Sequence, residues 1–231
     1  MPDDGHRESP RTGPSARPGG EHHAGVHPHV PSGAEHRHSW QRAGGGPAAV
    51  GAILLGLSAW LEYFVLGPGA PGAVFVAFAV LFGASIVLFV VAAFALAHYG
   101  IVGRSAGGRF ALRAYATSWA ISQAAYLAYK YVLPPATTNF YLVLLSTAFL
   151  GLTFVFGLVA AVFVALGRVA WGPARWSLFV AIGVAVVVAA VMARSDSLFL
   201  SSAMETLAAA AQLFVAVTYY FARGRDPWIG V

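Results

Sequence analysis

The sequence predicts an all-α protein: a polytopic transmembrane bundle of six helices with both termini in the cytoplasm. Three observations predict it. Of the 231 residues, 58% are hydrophobic and only 10% charged, with a mean hydropathy of +0.68; a soluble domain carries about 25% charged residues. Six apolar runs approach or exceed the roughly 20 residues needed to span a bilayer. Arginines gather at alternate junctions between those runs.

Residues 1–46 precede the first run. They are rich in Gly, Pro, Ser, Arg and His and nearly devoid of large apolar side chains. Such a segment buries too little surface to offset its ordering entropy, so a disordered cytoplasmic tail is expected. It lacks the short basic start and apolar core of a secretory signal. The run "EHHAGVHPHVPSGAEHRHSW" offers His22, His23, His27 and His29 as weak metal ligands. No helical or hairpin spacing organises them into a cage, so a solvated low-complexity tail is the plainer reading.

Residues 47–231 form the membrane domain. The first run is Pro47–Leu66. The second, Ala73–Ala97, contains no charge. The third, Phe110–Val132, is less apolar and carries Tyr115, Ser118, Ser122, Gln123, Tyr126 and Tyr129. The fourth, Asn139–Gly167, is long enough to tilt. The fifth, Trp176–Ala193, is short and rich in Val and Ala; the sixth is Ser197–Ala222. The connections 67–72 and 133–138 hold Gly or Pro and no charge, as tight turns between antiparallel helices do. "RSAGGR" at 104–109 reads as a cytoplasmic turn.

Charge gives the orientation. With the N-terminus inside, the cytoplasmic flanks hold Arg37, Arg42, Arg104, Arg109, Arg113, Arg168, Arg175, Arg223 and Arg225, nine in all. The outer flanks hold two, Lys130 and Arg194. This alternation is what the positive-inside bias predicts for six crossings of a cell membrane. The net charge of +5 arises at these helix ends. No basic patch on a soluble face points to nucleic acid; the lipid bilayer and other membrane subunits are the expected partners.

Orientation then sets depth. An ionisable group inside the bilayer is costly and usually faces the bundle interior or water. Glu62 lies roughly 7 Å from the outer end of its helix, Glu205 roughly 12 Å and Gln123 roughly 14 Å, at 1.5 Å per residue. Lys130 stands near the outer rim, either snorkelling to water or reaching down, where it could pair with Glu62. Ser201, Glu205, Ala208 and Gln212 share one face of the sixth helix. Small residues, Ser202 and Ala209, flank that face and permit close helix contact. Trp119, Gln123, Tyr126 and Lys130 form a second stripe on the third helix. The two stripes are expected to face each other or a common cavity, with Glu205 either an interhelical hydrogen-bonding group or a proton, ion or substrate site. Glu62, Gln123, Lys130, Glu205 and Gln212 are the intramembrane polar candidates.

Catalytic chemistry is not indicated. The chain has no cysteine, which removes disulfides, thiolate metal sites and cysteine nucleophiles. It has no phosphate loop, HExxH, GxSxG or intramembrane aspartate pair. His98 is the only histidine outside the tail, whereas a transmembrane b-type haem needs two axial ligands. No cofactor is assigned, and no activity of the chain's own is expected.

"SQAAYLAYKYVLPPATTNFYLVLLSTAFLGLTFVFGLVAAVFVALGR" resembles the middle of subunit III of haem–copper oxidases. Gln123, Ala124, Tyr126 and Tyr129 match that family's Gln-Ala-x-Glu-Tyr-like helix end. Phe140, Tyr141, Gly157, Leu158 and Arg168 match the long helix that follows its outer loop. "LFGASIVLFVVAAFALAHYG" is similar to the preceding serine-containing helix, so the resemblance covers residues of about 80–168. The family's histidine motif in the long helix is replaced by "STAFLGLTFVFG", and its Trp-His-Phe-Val-Asp motif by "SSAMETLAAAAQ". The resemblance implies a noncatalytic accessory subunit of a respiratory or other membrane redox complex. The bare residues leave an alternative: a small-solute or ion transporter or channel component using a polar layer around Glu205 and Gln123.

Overall fold

The computed structural model describes residues 41–65, 71–132, 138–195 and 197–222. The candidate histidines of the tail and both short connections lie wholly or largely outside these residues. The described residues are helical and contain no strand. Six α-helices follow in order: α1 Gly46–Val65, α2 Gly72–His98, α3 Ala106–Leu127, α4 Thr138–Gly167, α5 Ser177–Met192 and α6 Leu198–Phe221. A π-helical turn, Gln41–Gly45, leads into α1; another, Ala128–Val132, extends α3; a 3-10 turn, Gly172–Arg175, precedes α5.

Four of these helices are long and apolar enough to cross a membrane: those spanning Arg42–Val65, Gly72–His98, Phe140–Gly167 and Leu198–Phe221. Large apolar side chains such as Val80, Phe140, Leu158 and Leu166 point outward, as lipid contact requires. The other two helices fall short for different reasons. α3 is diluted by polar side chains. α5 has 16 residues and is about 24 Å long, against a hydrocarbon core of about 30 Å.

Each helix packs against its neighbours in sequence, and α6 returns to pack against α1, closing a ring. Neighbours run in opposite directions, so the ends of α1, α3 and α5 meet the starts of α2, α4 and α6. One end of the bundle therefore holds Glu62, Lys130 and Met192. The other holds His98, Gly167 and Tyr220.

The His98 end is filled with small residues. Ala97, Ala116, Ala160, Ala161 and Val164 are fully enclosed, packed with Ile101 and Val102 from the α2–α3 loop. Without a hydrophobic force between helices in lipid, such residues let backbones approach and gain van der Waals contact. Arg175 Nε donates to the Ala165 carbonyl (2.8 Å) and fixes the loop between α4 and α5. Gly167 crosses the backbone of Val102, where a Cβ would lie 3.2 Å from its carbonyl carbon. The left-handed residue that ends α4 consequently falls one place later, on Arg168 at φ 52°.

Two boundaries differ from the sequence reading. The first described residues, Gln41–Gly45, are already helical, inside the segment read as a tail. Gly44 and Gly45 are buried against Leu96 and the Tyr220 backbone, which residues bearing a Cβ could approach only with a shift. The "RSAGGR" turn ends at Ser105, whose hydroxyl accepts from Gly108 N at 3.0 Å as an N-cap, so 106–109 already belong to α3.

Candidate functional site

The polar candidates meet at the Lys130 end. Glu62, in the penultimate turn of α1, is 5% exposed. One of its carboxylate oxygens accepts from the Tyr126 hydroxyl at 2.7 Å, from the Tyr131 hydroxyl at 2.6 Å and from the Lys130 ammonium. Lys130 also bonds to Tyr126 and lies over the Tyr126 ring, 4.7 Å from its centroid. A buried carboxylate is tolerated when its lone pairs are filled by hydrogen bonds and its charge is matched, and both conditions hold here. Of the two positions open to Lys130 in the sequence, it takes the inward one, with 27% of its side chain exposed.

The π-helical turn makes this cluster. Tyr126 and Tyr131 are five residues apart. In an α-helix they would point in directions about 140° apart; π winding, with its i→i+5 bonds, brings them onto one side. Tyr131 is in turn seated on Phe75 and Phe78 of α2, at ring-centroid distances of 5.7 and 5.3 Å. Of the two tyrosine partners of Glu62, Tyr126 stood in the α3 stripe of the sequence, whereas that α-helical stripe omits Tyr131.

Beside the cluster lies a cavity of about 340 Å³, lined by all six helices. α3 contributes Tyr115, Trp119, Ser122, Gln123 and Tyr126, and α6 contributes Glu205, Ala208 and Gln212. The two sequence stripes thus share this cavity except at their ends. Ser201 does not line it, and Lys130 turns aside to Glu62. Leu55 of α1 and Phe82 of α2 form its rear wall; Ala185, Ala189 and Met192 of α5 form the front. Ser202 and Ala209 are buried on the flank of α6, Ala209 close to Gly56 of α1.

Glu205 is placed by this packing. Its charged neighbours are the Glu62 carboxyl and the Lys130 ammonium. Gln123 and Gln212 face the cavity and make no side-chain hydrogen bond among the described residues.

α3 and α4 are held together across the same space. Ser122 Oγ donates to the Ser146 carbonyl at 2.9 Å, and Ser146 Oγ donates to the Ser122 carbonyl at 3.0 Å. Thr153 Oγ1 lies 3.2 Å from Ser118 Oγ one turn further in. Hydroxyls at these positions satisfy themselves within the helix pair, unlike the two glutamines. His98 stands apart at the opposite end, edge-to-face with Tyr99.

No group of three or more His, Asp or Glu side chains able to hold a metal ion occurs among the described residues. The arrangement instead offers a carboxyl group, two amides and several aromatic faces around an enclosed space, suited to holding and orienting a small molecule. No protein-family model, curated protein or solved structure matches the chain.

Proposed function

We propose that the chain is a cell-membrane protein of six spans, with both termini cytoplasmic, whose ring of helices binds a small solute as a transporter or channel component. The observation that carries this reading is the cavity lined by all six helices, with Glu205, Gln123 and Gln212 facing it. Ligand sites in helical bundles have this form: a mostly apolar chamber with a few convergent polar groups. The ring has room for α3 and α5 as spans, α3 because its polar side chains turn inward and α5 because a thinned bilayer or tilted neighbours accommodate a short helix.

The absence of cysteine makes the test direct. A single Ala208→Cys in membrane vesicles reacts with a small water-soluble thiol reagent if the chamber admits solutes, whereas Ala59→Cys, enclosed between helices, does not. Failure of Ala208→Cys to react would remove the reading. An impermeant reagent applied to intact cells should label Ser195→Cys and spare Ser105→Cys; the reverse pattern would invert the topology.

The resemblance of residues of about 80–168 to subunit III of haem–copper oxidases supports a second reading, an accessory subunit of a membrane redox complex. In mild detergent that subunit comes away with larger partners and haem absorbance; a solute-binding protein comes away alone or with copies of itself.

A further inference from the structure

We infer that the chamber takes a small organic monocation with an apolar body, an alkyl- or arylammonium, whose charged head meets Glu205. This rests on the chamber reading above and adds the ligand class.

Charge carries the inference. Glu62, Glu205 and Lys130 form one group of two carboxyls and one ammonium. Lys130 is committed to Glu62, together with the Tyr126 and Tyr131 hydroxyls. Among the described residues, the Glu62 carboxyl and the Lys130 ammonium are the charged groups that act on Glu205. Two neighbouring carboxyls in a setting where an uncompensated charge is costly hold one proton between them, and a ligand ammonium entering the chamber can take that proton's place beside Glu205.

Size and lining define what supplies that charge. About 340 Å³ is far larger than a bare ion and falls at the lower end of organic-ligand sites, about 300–1,000 Å³. A bare inorganic cation also needs about six close oxygen ligands; Glu205 offers one carboxyl beside two amides. Among aliphatic side chains, the chamber also presents aromatic ones: Tyr115, Trp119, Tyr126, Tyr129 and Phe154. Such rings attract an ammonium through their faces and receive an apolar body. Gln123 and Gln212, without partners of their own, are acceptors for the remaining N–H groups.

The way in lies between α4 and α5, the least closely packed neighbours in the ring. Thr147 lines the chamber and is exposed on the outer surface of α4. Met192, at the end of the short α5, lines the same cavity.

Full-length protein in lipid nanodiscs, titrated calorimetrically with three probes of one skeleton, tests the inference. Phenethylammonium should bind saturably, neutral phenethyl alcohol about tenfold more weakly, and anionic phenylpropionate not at all, since a charged hydrogen-bonded pair contributes about a factor of ten or more. Glu205→Gln should bring the ammonium down to the level of the alcohol and leave the alcohol within about threefold. Equal binding of ammonium and alcohol by the unaltered protein overturns the cation and leaves the chamber standing, its charge met by a proton. Binding of none of the three overturns the inference, and labelling of Ala208→Cys then decides separately whether the chamber reading falls with it. The comparison of probes needs no variant, so a Glu205→Gln chain that fails to fold does not weaken it.

Discussion

At the His98 end of the bundle, helix meets helix through Ala97, Ala116, Ala160 and Ala161. At the Lys130 end the bundle carries Trp119, Tyr126, Phe78, Phe82 and two glutamates. The first set leaves no space and uses almost no polar contact. The second encloses a chamber and depends on hydrogen bonds from Lys130, Tyr126, Tyr131 and the Ser122–Ser146 pair. In lipid, close packing of small residues and satisfied polar contacts are alternative ways of holding helices together. The second leaves room for a ligand, and it concentrates the charge that a bilayer resists.

The contrast can be broken most strongly at the ion pair. Lys130→Ala leaves Glu62 buried with two tyrosines and no cation, and should cost about 3 kcal/mol of stability in a detergent unfolding titration. Exchanging the two residues, Glu62→Lys with Lys130→Glu, should recover part of what each single change loses. A double variant no more stable than the sum of the single losses would show that the pair contributes little as a pair. At the packed end the corresponding insult is volume. Ala160→Leu forces three extra carbons into a site with no exposure, and should cost about 2 kcal/mol by the same titration. The equivalent enlargement in the chamber, Ala208→Leu, should cost less than half as much, because the cavity accepts it. Equal losses at the two positions would mean the chamber is not maintained as a space. The smallest effect is expected at the α3–α4 clasp. Ser122→Ala removes one donated hydrogen bond and should cost about 0.6 kcal/mol, close to the mean of interhelical polar contacts in membranes. A much larger loss would make the clasp a principal support of the chamber wall.

The helices were legible because each is a predominantly apolar run, and the runs differ from the observed helices by only a few residues at most ends. α3 differs most at its start, since Arg109 and the glycines of "RSAGGR" look like a turn until Ser105 is seen capping the helix. The stripe on α6 was legible from 3.6-residue spacing alone, as Glu205, Ala208 and Gln212 show. What spacing could not supply was the π-helical turn at Ala128–Val132, which rotates Tyr131 onto the Glu62 side. A run of "AYKYV" carries no local mark of such winding. The ring order of the helices was equally hidden, because closure of α6 on α1 depends on surfaces rather than on any motif.

That closure has a consequence for biogenesis. Helices emerge in the order of synthesis, and α6 follows the other five. Until it arrives, α1 to α5 stand as an open arc. Within that arc Glu62 already has Lys130 and both tyrosines, all supplied by α1 and the end of α3. The less exposed of the two carboxyls is therefore neutralised early, before the second one arrives. Glu205 enters last, against a wall already assembled. A chain arrested before Leu198 should consequently yield a stable but gaping intermediate. Quality control would then read the unclosed α1 flank, with Gly56 and Ala59 laid bare, as the sign of an unfinished protein.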